Sequence, residues 1–371
     1  MKRMRNIDLT LFIVLLLFVI FGIVMVYSAS YPYAYIQFDN AEYYFHRQLF
    51  WAVISSLFLI GAIVIPYQVY GKLSPLFVML TLATLVLVLI PGVGVERNFS
   101  TRWISIGGFL FQPVEFAKLA MLIYFAYFYS RKEAYIGHFG KGVIPPIIIL
   151  AIIFGLLLRQ PDLGSATLIL FSCVMILFFT SIRFRHLFLL GSLAVSVFVF
   201  FAMMSPYRIE RITSFLDPFA DAQGTGYQLV NSYISIHTGG ITGNGLGGSV
   251  QKLGYLPEAH TDFIMSIITE ELGLLGVIAV LSFYFFLFMK GIRIAINTRD
   301  EFGKLLAIGI TFQIIVQAII NLGAILGMLP ITGITLPFIS YGGSSLLITM
   351  VSAGILLNIS ASSNKNVEQE G

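Results

Sequence analysis

Long apolar runs separated by short polar segments fill this chain from end to end. Ten of them approach the roughly 20 residues a helix needs to cross hydrocarbon, and they predict spans at about 8–29, 48–66, 73–91, 113–130, 143–158, 164–181, 186–205, 262–289, 303–328 and 341–359. The pattern is that of an all-α polytopic membrane protein with about ten transmembrane helices, one integral domain over residues 1–371 and a short tail at 360–371. One connection stands apart: the polar stretch at about 206–261, between the seventh and eighth spans, is long. Loops of that size are usually functional or disordered, and this one is not low-complexity. Tyr207, Ile209, Ile212, Phe215 and Leu216 are interleaved with Arg208, Glu210 and Arg211, a mixture suited to lying along a membrane surface. A plain connection between spans is the alternative.

Composition agrees with the pattern. Of 371 residues, 58% are hydrophobic and 11% charged, and the mean hydropathy is +0.90, whereas soluble domains carry about a quarter charged residues. The basic start, Met1 to Arg5, followed by the apolar stretch Leu9 to Val26, resembles a secretory signal but reads as an uncleaved first span, because the run exceeds a signal core and further spans follow. The lone Cys173 excludes an intramolecular disulfide and any cysteine-cluster metal site.

An even number of spans puts both termini on one side. Lys2, Arg3, Arg5, Lys72, Arg131, Lys132, Lys141, Arg183, Arg185, Lys290, Arg293, Arg299, Lys304 and Lys365 share that side, so the positive-inside rule makes it cytoplasmic. Acids gather on the other side or within spans, among them Glu96, Glu115, Asp162, Glu210, Asp217, Asp221, Glu258, Asp262, Glu270 and Glu271. A site on the outer face accounts for that concentration; Asp39 and Glu42 read as solvated loop residues.

The run Lys252 to Ile264 places Asp262 where the long connection re-enters the membrane. An ionisable group at the edge of hydrocarbon is costly to keep, which makes Asp262 the leading candidate for chemistry; a helix cap is the plainer reading. Thr261 is the predicted N-cap, with Asp262 in the first turn favoured by the helix dipole. Ser266, Thr269, Gly273 and Gly276 fall on the same face and predict a stripe turned toward protein or water. At least one of the adjacent Glu270 and Glu271 requires a partner.

Elsewhere, Glu115 and Lys118 are i, i+3 neighbours at the start of the fourth span, either a self-neutralising pair or a cation steering Asp262 or an anionic ligand. Arg97, Ser100, Thr101, Arg102 and Trp103 set cations and an aromatic at the outer interface, where snorkelling or a lipid headgroup explains them. Arg159-Gln160-Pro161-Asp162-Leu163-Gly164 reads as a tight turn with Asp162 capping the next helix. The glycine cluster Gly239–Gly248 lacks a P-loop ending, leaving an anion-binding nest or a hinge. The run Leu329 to Ser345 mixes prolines and glycines with apolar residues; irregular backbone at that depth has to be covered by protein or line a cavity, which Asn321 would help form. His46, His138, His186, His237 and His260 show no metal-ligand spacing.

Four stretches, Gln112-Pro113-Val114-Glu115-Phe116-Ala117-Lys118, Gln160–Gly164, Pro257-Glu258-Ala259-His260-Thr261-Asp262-Phe263 and Pro337–Ser345, in this order on ten spans, strongly resemble the SEDS family, whose members include FtsW, SpoVE and RodA. Asn244–Pro257 is most similar to the cell-division branch, with the sporulation branch close and the elongation branch less similar. Val114 departs from the pattern, where serine is frequent.

The resemblance implies a peptidoglycan glycosyltransferase that polymerises lipid II on the outer face of the bacterial cytoplasmic membrane at the division septum. Its implied partners are lipid II, the nascent lipid-linked glycan, a class B penicillin-binding protein that cross-links the product and other division proteins, with no nucleic acid. Asp262 would be the general base, and Arg102, Glu115, Lys118, Asp162, Lys252, His260, Asn321 and Ser340 would bind substrate. No cofactor is built into the protein, but Mg or Mn could accompany the pyrophosphate. The competing functions are a lipid II flippase or other transporter, a RodA-type elongation or SpoVE-type sporulation polymerase, and a division scaffold.

Overall fold

The structure, a computed structural model, describes residues 6–97, 100–132, 139–203 and 206–368. Lys2, Arg3, Arg5, His138 and residues 369–371 of the expected tail lie outside them. Its helices are α1 (Leu9–Phe38), α2 (Tyr43–Val64), α3 (Tyr67–Lys72), α4 (Ser74–Val88), α5 (Pro113–Arg131), α6 (Ile144–Arg159), α7 (Leu163–Phe178), α8 (Phe184–Met203), α9 (Pro206–Leu216), α10 (Tyr227–Gly239), α11 (Ile264–Asn297), α12 (Glu301–Ile325) and α13 (Gly343–Glu368). A helix overlaps each predicted span. Six of them, α1, α2, α8, α11, α12 and α13, are long and apolar enough to cross a membrane, and α4, α6 and α7 are shorter apolar helices.

Local signals start these helices. Asp8 caps α1, its Oδ1 accepting from Leu11 N at 3.0 Å while Oδ2 pairs with Lys290 Nζ at 2.7 Å. Asp162 caps α7 as expected, accepting from Ser165 N at 3.1 Å. Asp300 caps α12 in the same way at 3.0 Å, satisfying amide donors that a first turn leaves open. Prolines stand in the first turns of α4, α5 and α6, where a missing N–H costs nothing.

The bundle is organised around α12, which packs against α5, α7 and α11. On the other flank α13 lies along α2, and α1 sits between α2 and α11. The polar side chains of α12, Thr311, Gln313, Gln317 and Asn321, are buried in this centre rather than turned to lipid. α8 touches only α7 and α9 among the principal packings and leaves Phe184, Phe188 and Leu189 exposed.

Two features add detail to the all-α reading. A small three-stranded antiparallel sheet lies between α4 and α5, made of β1 (Gly94–Arg97), β2 (Ser100–Ile106) and β3 (Phe109–Phe111) in that order. The 206–261 connection is largely ordered. It holds α9, where the mixed pattern placed a surface segment, then α10, a 3-10 turn at Gln251–Leu253 and the glycine run between them.

That run has a structural task. α11 breaks at Gly273, whose φ of 61° and ψ of −153° belong to glycine. Asn244 N donates to Glu270 O at 3.0 Å, Gly245 N to Glu271 O at 2.9 Å, and Leu274 N to the carbonyls of Gly240 and Ile241, both at 3.1 Å. The run thus binds backbone groups that the break releases, and these amides serve protein carbonyls rather than an anion. The predicted polar stripe on α11 faces protein: Ser266 Oγ meets Ser232 Oγ of α10 at 2.9 Å, and Thr269 and Gly273 are buried.

A Cβ on Gly243, at φ +72°, would fall on the Glu271 carbonyl, whereas one on Gly245, at φ +84°, would meet open space. Both substitutions carry left-handed strain of about 1–3 kcal/mol, but only the first adds a clash. Gly243→Ala is therefore expected to lower the melting temperature of detergent-purified protein well below that of Gly245→Ala; equal losses would refute the insertion.

Candidate active site

At one end of the bundle, segments far apart in the sequence meet. The turn Pro257–Phe263 lies above α11, and Asn321 Nδ2 from α12 donates both to Asp262 O at 2.7 Å and to Ile334 O at 2.8 Å. One helical turn earlier, Gln317 Nε2 donates to Thr335 O at 2.9 Å. Tyr284 Oη donates to Pro337 O at 2.7 Å, and Arg211 Nη1 from α9 to Ile331 O at 2.8 Å. Side chains from α9, α11 and α12 thus hold the irregular segment Ile331–Pro337 by its carbonyls. The covering expected for irregular backbone is present.

Asp262 is half-buried and lines a small crevice with Asn321, Ile331, Thr332, Gly333 and Ile334. Gly333, at φ +70°, leaves the space over the carboxylate open, since a Cβ there would lie 3.9 Å from Asp262 Oδ2. Burial, and then the Glu258 carboxylate, raise the pKa of Asp262 to about 7, against the opposing hydrogen bond from Thr261 and the Arg211 charge. Such a group exchanges protons near neutrality.

Thr261 does not cap α11, which begins after Phe263 with no side-chain cap. Its Oγ1 instead lies 2.7 Å from Glu258 Oε2 and 3.0 Å from Asp262 Oδ1. Asp262 accordingly precedes the first turn rather than sitting in it. His260 is buried against Tyr44, with ring centroids 4.4 Å apart, and beside Tyr33 and Tyr341. Burial lowers its pKa to about 4, so it is neutral at physiological pH.

The remaining candidates divide by location. Lys118 Nζ contacts Glu115 Oε2 at 2.7 Å and Gln317 Oε1 at 3.0 Å, which joins this pair to the residue holding Thr335. Arg102 of β2 hydrogen-bonds the Pro161 carbonyl and approaches Asp162 Oδ1 at 3.8 Å. Its turn reaches the crevice through Gly164, where a Cβ would stand 3.0 Å from Thr332 O. Ser340 shapes the last turn, accepting from Leu336 N at 2.8 Å, and Tyr341 N donates to His260 O at 2.9 Å. Gln112 N donates to Ser344 Oγ at 3.1 Å.

Lys252 stands elsewhere. Its ammonium is fully buried, 2.6 Å from Glu271 Oε1 and 3.2 Å from Ser28 Oγ, over the Tyr31 ring. Neighbouring Glu270 accepts from Ser249 Oγ and Val250 N, so both adjacent acids are paired. A larger groove of about 530 Å³ lies between α4 and α6, lined by Leu89, Ile152, Gly155, Leu156 and Arg159. It contains no acid, and its Arg159 opens the turn that carries Asp162. Glu258 and Arg211 were not singled out as site residues from sequence; Glu258's position four residues before Asp262 was the available signal.

A family model described as "Cell cycle protein", for FtsW, RodA and SpoVE, matches residues 8–365. The chain belongs to the FtsW/RodA/SpoVE family. Stage V sporulation protein E of Bacillus subtilis is 42% identical over 95% of this chain and 96% of its own length. A Trichlorobacter lovleyi protein named "Probable peptidoglycan glycosyltransferase FtsW" is also 42% identical, over 97% of this chain and 94% of its own. Among solved structures, a chain from a peptidoglycan synthase complex that coordinates polymerization and crosslinking superposes with a TM-score of 0.77 at 29% identity, covering 96% and 98% of the two chains. The Thermus thermophilus rod shape determining protein RodA gives 0.68 at 25% identity, covering 95% and 96%. The four sequence stretches that carried the family resemblance are those that converge around Asp262.

Removing one partner of a fully buried ion pair costs about 3–5 kcal/mol. Lys252→Met should therefore strongly destabilise the protein, and adding Glu271→Gln should restore most of the loss in thermal melts. Additive losses would show that the pair is not a unit.

Proposed function

We propose that this protein is a peptidoglycan glycosyltransferase that polymerises lipid II on the outer face of the cytoplasmic membrane, with Asp262 as its general base. The observation that carries the reading is the Asp262 carboxylate, half-buried beneath Gly333 at the meeting of the family's motifs, with a raised proton affinity. The relatives' names support the activity class. The excess of Lys and Arg on the opposite side supports an outward-facing site.

In this mechanism Asp262 takes the proton of the acceptor N-acetylglucosamine 4-hydroxyl as that oxygen attacks the anomeric carbon of the donor N-acetylmuramic acid. The polyprenyl pyrophosphate departs in the same displacement, which inverts the anomeric centre and needs no covalent enzyme intermediate. Arg211, bound to Ile331 O in the crevice wall, and Arg102, held on the Pro161 carbonyl beside Asp162, are the cations that favour the charge developing on the leaving group, whereas Lys118 and Lys252 are each paired with a buried glutamate. Among the described residues no cluster of three or more acids, histidines or cysteines could hold a metal; a Mg or Mn ion carried by the pyrophosphate would add to the same charge stabilisation.

Identity of 42% to a sporulation and a division relative, against 25% to the RodA structure, supports those branches over elongation, and septal division is the role proposed. The superposition on a chain of a synthase complex supports a class B penicillin-binding protein as the cross-linking partner, alongside other division proteins.

Asp262→Asn should reduce glycan polymer formed from lipid II by about 10²–10⁴-fold, measured on gels with purified protein. Undiminished polymer removes Asp262 as base. Because a base works deprotonated, the wild-type rate should climb with pH up to about 7 and level off above it; a rate that falls across that range would contradict the assignment.

A further inference from the structure

The Thr261 hydroxyl carries one proton but faces three acceptors. Its Oγ1 lies 2.7 Å from Glu258 Oε2, 3.0 Å from Asp262 Oδ1 and 3.0 Å from Glu258 O. A hydroxyl donates once and otherwise accepts. With both carboxylates ionised, a hydroxyl donating to one of them leaves the other oxygen opposed to a lone pair. One further proton resolves this: held on Asp262 Oδ1 it donates to Thr261, whose own proton then donates to Glu258 Oε2.

The two acids also differ in position. Asp262 is half-buried in the crevice, whereas Glu258 is exposed and held at φ +54°. That backbone conformation is unusual outside glycine, and it belongs to the turn that sets the two acids on one hydroxyl. The chain of three groups therefore leads from the crevice to outside water in two short steps.

Resting on the reading of Asp262 as base, we propose that Thr261 and Glu258 form a relay that carries the proton from Asp262 to outside water after each glycosyl transfer. The transfer itself leaves the sugar hydroxyl proton on Asp262. Asp262 then gives a proton to Thr261 Oγ1 as the Thr261 proton passes to Glu258 Oε2, and Glu258 releases it to water. Thr261 is neutral before and after, and Asp262 returns ionised for the next acceptor.

The surrounding groups fit this direction. Arg211 from α9 acts on Asp262, and the α12 amide of Asn321 binds the Asp262 carbonyl rather than its carboxylate. Ile331–Ile334 brings no titratable side chain. On the other side, Tyr44 of α2 and His260 feel the Glu258 charge. His260 points into the tyrosine cluster and is neutral, so among these groups Glu258 is the acid placed to receive the proton.

The test uses the full-length protein with its cross-linking partner and lipid II, comparing Glu258→Gln, Thr261→Val, Thr261→Ser and Asp262→Asn. Glu258→Gln and Thr261→Val should each slow polymerisation by about tenfold with KM unchanged, while Thr261→Ser keeps the rate. Added imidazole buffer should recover part of the Thr261→Val loss by accepting the proton directly. Glu258→Gln should also move the pH midpoint downward, because it removes a negative charge beside Asp262. Wild-type rates in both variants, or losses that ignore buffer and pH, would overturn the relay while Asp262→Asn remains inactive. Full activity in Asp262→Asn would instead overturn the reading on which the relay rests.

Discussion

Backbone polar groups inside a bilayer have no water to bind, and the architecture depends on how this chain satisfies them. Regular helices do so internally. At the break at Gly273 and along the segment Ile331–Pro337 the chain departs from regularity, and both are repaired from outside their own element. The glycine run supplies amides and carbonyls to the first. Arg211, Asn321, Gln317 and Tyr284 supply donors to the second. Each unpaired group would otherwise cost several kcal/mol.

The same repairs assemble the site. Asn321 spends its amide on two carbonyls, one of Asp262 and one of Ile334, so the acid and the wall of its crevice are fixed to one side chain. Gln317 continues the row and touches Lys118, which Glu115 neutralises. The charge of Asp262 is therefore governed by burial and by a few near neighbours. Lys252 and Glu271, deeper along α11, anchor α1 to the break and leave the crevice unencumbered.

Much of this is legible in the sequence. Hydrophobic runs located the helices because hydrocarbon demands long apolar stretches, and the capping role of Asp162 followed from local chemistry. The sheet at 94–111 escaped because its strands are short and their pairing is non-local. The burial of Lys252 is hidden for a related reason: a cation offered to an anionic ligand in a polar stretch gives no sign that folding pairs it with Glu271 beside α1. Thr261 met a local competitor, since Glu258 and Asp262 claim the hydroxyl that a helix cap would use. Glu270 and Glu271 could be said to need partners, but Ser249 and Lys252 lie across a turn that only the tertiary structure closes.

Bilayers differ in thickness, and a continuous rod would meet each difference by leaning as a whole. α11 is jointed at Gly273, with its upper part fastened to α10 and the glycine run. The same run also accepts from Leu274 N below the break, so both pieces of α11 are clamped to one brace. A thicker or thinner bilayer would have to tilt that braced unit together, without pulling the acid away from its crevice wall.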